Sequence, residues 1–283
     1  MQVGTQLGTV AQCWRYPVKS MQGATTSRLR IGSHGVAGDR AHALVDDATE
    51  RVLSAKSVPE LLWASADDES IRLPDGTTVA LDDEDRDGRL SAWLDRAVRL
   101  LTLEQSGLPA ELGLSYEMTF DPPDDDAEMF EIPLPEHGFV DLSPLHVIAA
   151  STLEGCRRER PELDWDVRRF RPNLVFDGAT DSNGLFVEDA ALFVEDSWVG
   201  AELAVGERCV IRVQQPTVRC AMPLRAQPAG PEGPELERRR ELYRAMTELH
   251  AEVPNHLGVY VEVVSPGEVA VGDPVVVAAA PGT

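Results

Sequence analysis

LGVYVEVVSPGEVAVGDPVVV, residues 257–277, alternates apolar and polar side chains on both sides of a Pro-Gly pair at 266–267. That pattern predicts two β-strands joined by a turn. Working outward, residues 209–213, 199–203, 191–194 and 173–176 also read as strands. Nearer the start, the short apolar runs 7–14, 41–45 and 98–103 are punctuated by Gly, Asp and Pro as in a β-rich module. Three segments have helical spacing. Residues 90–97 place Leu90, Trp93, Leu94 and Ala97 on one face. Ser143 and Pro144 read as an N-cap and first helical residue ahead of Leu145, Ile148, Ala149, Thr152, Leu153 and Cys156. Residues 235–252 carry Leu242, Tyr243, Met246 and Leu249. The composition changes at DPPDDD, 121–126, which divides the chain into modules at 1–121 and 127–283. The expected class is β-dominated α+β, with two barrel-like modules packed together.

The 283 residues include 48 acidic and 26 basic side chains, a formal charge of −22. Such a field repels polyanions, so neither nucleic acid nor an anionic membrane surface is expected as a partner. No run approaches the roughly 18 apolar residues of a membrane span. The N-terminus lacks the cationic start, apolar core and cleavage site of a signal peptide, and the four cysteines are scattered; both point to the cytoplasm. Only Lys19 and Lys56 are lysines, which leaves 24 arginines. A GC-rich genome accounts for arginine in place of lysine but not for the acidic excess, which suits a halophilic protein living in concentrated salt.

Glycine signatures for dinucleotides and for P-loop phosphates are missing, as are GxSxG, HExxH and CxxC motifs. The six histidines have no metal-ligand spacing. Six short segments remain, in this order: YPVKS (16–20), GDR (38–40), FRPNLVFDG (170–178), EDSWVG (195–200), TVRC (217–220) and the closing GVYVEVVSPGEVAVGDPV. Together they resemble the MOSC family, the molybdenum-cofactor sulfurase C-terminal domain proteins, including their N-terminal β-barrel domain. The resemblance covers nearly the whole chain and is closest to two-domain members such as the mitochondrial amidoxime-reducing component and its bacterial relatives. It implies an N-terminal β-barrel-like module packed on a MOSC β-barrel with flanking helices.

The resemblance further implies a molybdenum–molybdopterin cofactor between the modules, with Cys220, which ends TVRC, as the metal ligand and catalytic residue. A thiolate is a soft donor suited to such a metal, and Arg219 beside it favours the ionised form. By the same resemblance Lys19, Ser20 and Arg40 contact the pterin and its phosphate, Arg171 and Asn173 approach from the second module, and Ser151 and Thr152 match a further contact. The guanidinium fork suits phosphate, and an Asn amide both donates and accepts. Cys13, Cys156 and Cys209 lie on apolar faces and read as packing residues. After Cys220 the chain reads AMPLRAQPAG where the amidoxime-reducing relatives carry Thr-Thr and then Asp-Pro.

The expected activity is a molybdenum-dependent oxidoreductase that reduces N-hydroxylated or N-oxygenated small molecules. No four-cysteine ferredoxin spacing is present, so no iron–sulfur cluster is expected in this chain and electrons come from an external donor protein. No pyridoxal phosphate is expected, and the protein is expected to act as a monomer. Two alternatives stay open: a persulfide sulfurtransferase using Cys220, and a non-catalytic carrier of the cofactor. The composition also carries its own test. If screening relieves repulsion among the surplus carboxylates, the melting temperature rises between dilute buffer and molar KCl; an unchanged value refutes the halophilic reading.

Overall fold

Gln6–Arg15 forms a ten-residue strand that pairs antiparallel with Leu174–Asp177 on one side and with Pro274–Ala279 on the other. This computed structural model describes residues 4–103, 113–118, 130–133, 138–178 and 192–279; the acidic 121–126 segment lies outside them. Leu174–Asp177 continues in parallel to Leu145–Ala149, which pairs with His256–Ser265. Next come Cys209–Val218, Glu202–Val205 and again Pro274–Ala279. Seven strands therefore close into a β-barrel, and closure removes the unpaired edges that an open sheet exposes. Val10, Cys13, Leu203, Ile211, Val213, Val259 and Val261 are among the residues that fill its interior.

The first half of the chain also builds sheets of its own. Val98–Thr102, His42–Asp46, Arg51–Val52, Ser115–Met118 and Phe130–Pro133 form a five-stranded sheet. A small three-stranded sheet, Ser65–Ala66 with Ser70–Arg72 and Thr78–Ala80, completes the module alongside the helix Arg86–Leu94. Leu90 of that helix joins Leu44, Leu61, Leu62, Ile71 and Val98 in a separate core. The two halves interlock, because Gly267–Ala270 pairs with Arg28–Gly32 of the first half while Gln6–Arg15 staves the barrel of the second. No helix among the described residues is long and apolar enough to cross a membrane.

The β-dominated α+β class matches the expectation, but several elements differ in kind or extent. The helix expected from Pro144 is a strand over Leu145–Ala149, and helix begins only at Ala150, running to Glu159. All five strand residues are buried: Leu145, Val147 and Ala149 face the barrel, while Ile148 enters a second apolar cluster under the helices. A strand covered on both faces loses its period-two signature, so its apolar run passes for a helix. The expected strand at 191–194 is instead a 3-10 turn, Val194–Trp198, with Ala191 outside the described residues. The closing stretch makes three strands, because Val271, Gly272 and Asp273 form a second turn. The last helix is Glu241–Leu249; ahead of it Leu236 bridges to Gln227 instead of continuing the helix. The early helix starts a turn sooner than expected and stops at Leu94, where Asp95 turns left-handed at φ 48°.

Barrel closure depends on one close approach of backbones. A Cβ on Gly8 would lie 1.8 Å from the Asp177 carbonyl oxygen, so only glycine lets these strands meet. Gly8→Ala is therefore expected to lower stability by about 1–3 kcal/mol, the usual cost of overpacking, read as a fall in the denaturant midpoint. An unchanged midpoint would mean that the seam yields without cost.

Candidate functional site

A cavity opens where the first half of the chain meets the mouth of the barrel. Three local structures build its floor. Beyond the first strand, YPVKS runs alongside the GDR turn: the Tyr16 amide donates to Asp39 Oδ1 (2.7 Å) and the Arg40 amide to the Tyr16 carbonyl (2.7 Å). The one-turn helix Val167–Phe170 is N-capped by Asp166, and Pro172 prevents its continuation. Arg171 caps that turn with a left-handed backbone, a place where glycine is the usual residue. TVRC leaves the strand Cys209–Val218 and is fixed through Asn255, whose side-chain amide donates to the Arg219 carbonyl at 2.7 Å.

Lys19, Ser20, Arg40, Arg171, Asn173, Arg219 and Cys220, spread over two hundred residues of sequence, all line this one cavity. Ser151 and Thr152 do not. The Ser151 hydroxyl donates to the Gly178 carbonyl, and Thr152 is fully buried, donating to Glu195 and accepting the Phe193 amide at 2.9 Å. Glu195 is itself buried, which pushes its carboxyl up to about 7 despite the Thr152 hydrogen bond. Cys13, Cys156 and Cys209 are buried in apolar clusters, whereas Cys220 is partly exposed.

The cavity is strongly cationic in a strongly anionic protein. Lys19 Nζ lies 2.5 Å from Asp141 Oδ1 and Lys56 Nζ 2.8 Å from Asp141 Oδ2, so the chain's only two lysines share one carboxylate. Burial pushes the Asp141 carboxyl up, but the two ammonium groups outweigh it and hold the group well below the ordinary carboxylate range. Lys19 also donates to the Phe139 carbonyl (3.0 Å) and the Tyr116 hydroxyl to the Asp141 carbonyl (2.8 Å), which pins this wall to the first module. Arg40 is paired with Asp39. The guanidiniums of Arg40 and Arg171 lie 4.7 and 4.2 Å from the centre of the Tyr16 ring, whose hydroxyl is held by the Pro172 carbonyl.

Two of these cations keep unspent hydrogen-bonding capacity. Arg171 donates through Nη1 to the Met21 carbonyl (2.6 Å), but its buried Nη2 has no partner among the described residues. Arg219 donates through Nη2 to the Phe170 carbonyl (2.8 Å), and its buried Nε is likewise unpartnered. Neither has a carboxylate within salt-bridge reach among the described residues. Burial, and after it the neighbouring Arg40, pulls Arg171 down to about 10. Desolvated guanidinium groups without counter-charge are costly, and an anionic, hydrogen-bonding ligand would relieve that cost. By contrast Arg169, two residues away, spends its donors on Asp164, Pro223, Arg225 and Glu237 and is structural.

Backbone strain is concentrated here as well. Among the described residues seven non-glycines have positive φ. Ser20 (67°), Arg40 (46°) and Arg171 (55°) line the cavity, and Asn255 (59°) anchors Arg219. Such conformations cost on the order of 1–3 kcal/mol each and persist where the surroundings enforce them. His146, missed in the sequence, also lines the cavity; burial, then Arg219 and Arg40, holds it well below its ordinary pKa and thus neutral. Lys56 and Asp141 were missed too. Lysine scarcity pointed to Lys56 as strongly as to Lys19, whereas nothing marks Asp141 among 48 acidic residues.

The MOSC domain profile matches residues 135–276, half of the chain, and the MOSC N-terminal beta barrel domain matches residues 7–109. The chain belongs to the MOSC family. That family is associated with binding of the molybdenum cofactor. Among solved structures, YuaD protein from Bacillus subtilis is similar over 95% of this chain and 93% of its own, at 10% identity and a TM-score of 0.40. YiiM from Geobacillus stearothermophilus is similar at 15% identity and a TM-score of 0.32, and YiiM from Escherichia coli at 20% and 0.31; each match covers 48% of this chain. The chain spans about half the length of these YiiM proteins, 54% of each. No curated protein matches it.

The shared carboxylate gives a testable pH dependence. A carboxyl held below its unfolded value of about 3.9 contributes stability that is fully present above that pH and is lost as pH falls below it. Asp141→Asn, which leaves two buried ammonium groups without their counter-charge, is expected to cost on the order of 3 kcal/mol at pH 7. It should also flatten the acid limb of the stability curve between about pH 5 and 2. Parallel limbs in wild type and variant would show that Asp141 is not the titrating partner.

Proposed function

We propose that this MOSC protein is a molybdenum-cofactor oxidoreductase that reduces N-hydroxylated or related N-oxygenated small molecules with electrons from an external donor protein. The observation that carries the reading is the convergence of the one partly exposed cysteine, Cys220, with the unpartnered buried donors of Arg171 and Arg219 in a single cavity. Among the described residues no three His, Cys, Asp or Glu side chains come together to hold a metal ion. A metal at Cys220 therefore fits best if an organic ligand brings the remaining donors. When bound, the cofactor supplies two-electron oxygen-transfer chemistry.

The chain's own residues would do the rest. Cys220 would ligate the metal, with Lys56 and Arg219 near enough to interact with its charge. Arg171 and Arg219 would meet the cofactor's anionic and hydrogen-bonding edges, and Arg40, stacked on Tyr16, would add a third guanidinium. Asn173 bridges the His146 amide and the Trp14 carbonyl, so it would position the wall while presenting its amide edge. In the net reaction the N–O bond breaks, two electrons and two protons are consumed, and the oxygen leaves as water.

Molybdenum per chain, measured on protein from a molybdenum-replete host, is expected to approach one. Arg171→Lys should lower that occupancy while the fold survives, because a point charge does not replace the planar fork. Cys220→Ala should abolish reduction and remove one sulfur from the metal's coordination shell by X-ray absorption. Wild-type protein that carries sulfane sulfur on Cys220 and no molybdenum would refute the reading in favour of sulfur transfer. Full occupancy without turnover of any N-hydroxylated compound would favour a carrier.

A further inference from the structure

Large apolar side chains are rare on this acidic exterior. Among the described residues those exposed are Trp63, Leu142, Val218, Val264 and Val271. Two of the five, Leu142 at 49% and Val218 at 44% exposure, border the Cys220 cavity. Val218 ends its strand; Arg219 then turns into the interior, and Cys220 is again partly open. Val218 and Cys220 thus line the same cavity on either side of the buried Arg219. Leu142 is held in place by its neighbours. Asp141 before it is gripped by both lysines and by Tyr116, and the Ser143 hydroxyl after it donates to the Val261 carbonyl at 3.0 Å. Below this rim Phe139, Val140 and Met222 continue the apolar lining. A leucine and a valine left about half exposed forgo part of their burial energy, which a ligand covering them would recover.

We propose that Leu142 and Val218 form a specificity-determining rim that selects substrates carrying an alkyl or aryl group beside the reacting nitrogen. The proposal rests on the function proposed above and adds a substrate class to it. The cationic groups gather on the floor, so the apolar part of a small molecule finds complementary surface at the rim and along Phe139, Val140 and Met222 beside it. Selectivity then follows apolar area: a longer alkyl substituent covers more of Leu142 and Val218, up to the limit of the rim.

The test uses the holoprotein and a matched pair of N-hydroxylated compounds bearing a methyl or a hexyl group. It compares kcat/KM for the pair and, separately, the calorimetric affinity of the holoprotein for the corresponding non-hydroxylated products. The hexyl member should be preferred by about tenfold or more in both measurements. The near-isosteric changes Leu142→Asn and Val218→Thr together should erase most of that preference, and Leu142→Met should keep it. If neither compound is reduced while the hexyl product still binds better and the double variant loses the preference, the reaction proposed above fails and the rim stands. Equal affinity for the methyl and hexyl members, or a preference that survives the double variant, overturns the rim.

Discussion

The pairing of Gln6–Arg15 with both Leu174–Asp177 and Pro274–Ala279 is the contact on which the rest of the molecule depends. Without it the second-half sheet keeps two open edges, and the first module is held by the pairing of Arg28–Gly32 with Gly267–Ala270 and by side-chain contacts around Asp141. With it, the residues just past the strand, Tyr16 to Ser20, are delivered to the barrel mouth, where Cys220 and Arg219 arrive from the far side. The strand that seals the core is thus the same strand that aims the site. Gly8, which allows the close approach to Asp177, contributes to both.

Charge is distributed on the same principle. The exterior carries a large negative surplus, while Lys19, Lys56, Arg40, Arg171 and Arg219 gather at one junction against the carboxylates of Asp39 and Asp141. The clustered cations repel one another, so local geometry has to hold the cavity together. The geometry consists of a lysine pair bridged by one carboxylate, two guanidiniums on the Tyr16 ring, and left-handed backbone at Ser20, Arg40 and Arg171. Compact ammonium groups suit the shared Asp141, where each offers several donors from a point charge, and planar forks serve where a flat edge must be met.

The chain's departures from simple pattern reading share one physical cause. Period-two alternation exists only where one face of a strand is wet, so 209–213 was legible inside Cys209–Val218, while the strand expected at 199–203 lies at Glu202–Val205. Leu145–Ala149 was not legible, since the barrel covers one face and the helical cluster and the cavity cover the other. Thr152, named from the family resemblance, is a helical residue as expected, but its buried hydroxyl is engaged by Glu195 and the Phe193 amide and does not line the cavity. The RRFR run, 168–171, makes the point for single residues, because Arg169 and Arg171 are chemically identical and only their surroundings make one structural and leave the other with a donor to spare.

The amino-acid sequence by itself determined the family, the β-dominated class, the acidic surface and most of the cavity's polar residues, because short motifs and composition are local properties that survive without coordinates. Only the tertiary structure decided that the first strand belongs to the barrel of the second half and that both lysines meet at Asp141. It also decided that Ser151 and Thr152 lie outside the cavity and that Leu142 joins Val218 and Cys220 in lining it. Most of these rest on contacts between segments tens to hundreds of residues apart. Such contacts are set by backbone closure and burial, and a linear pattern holds no record of which distant face will cover which.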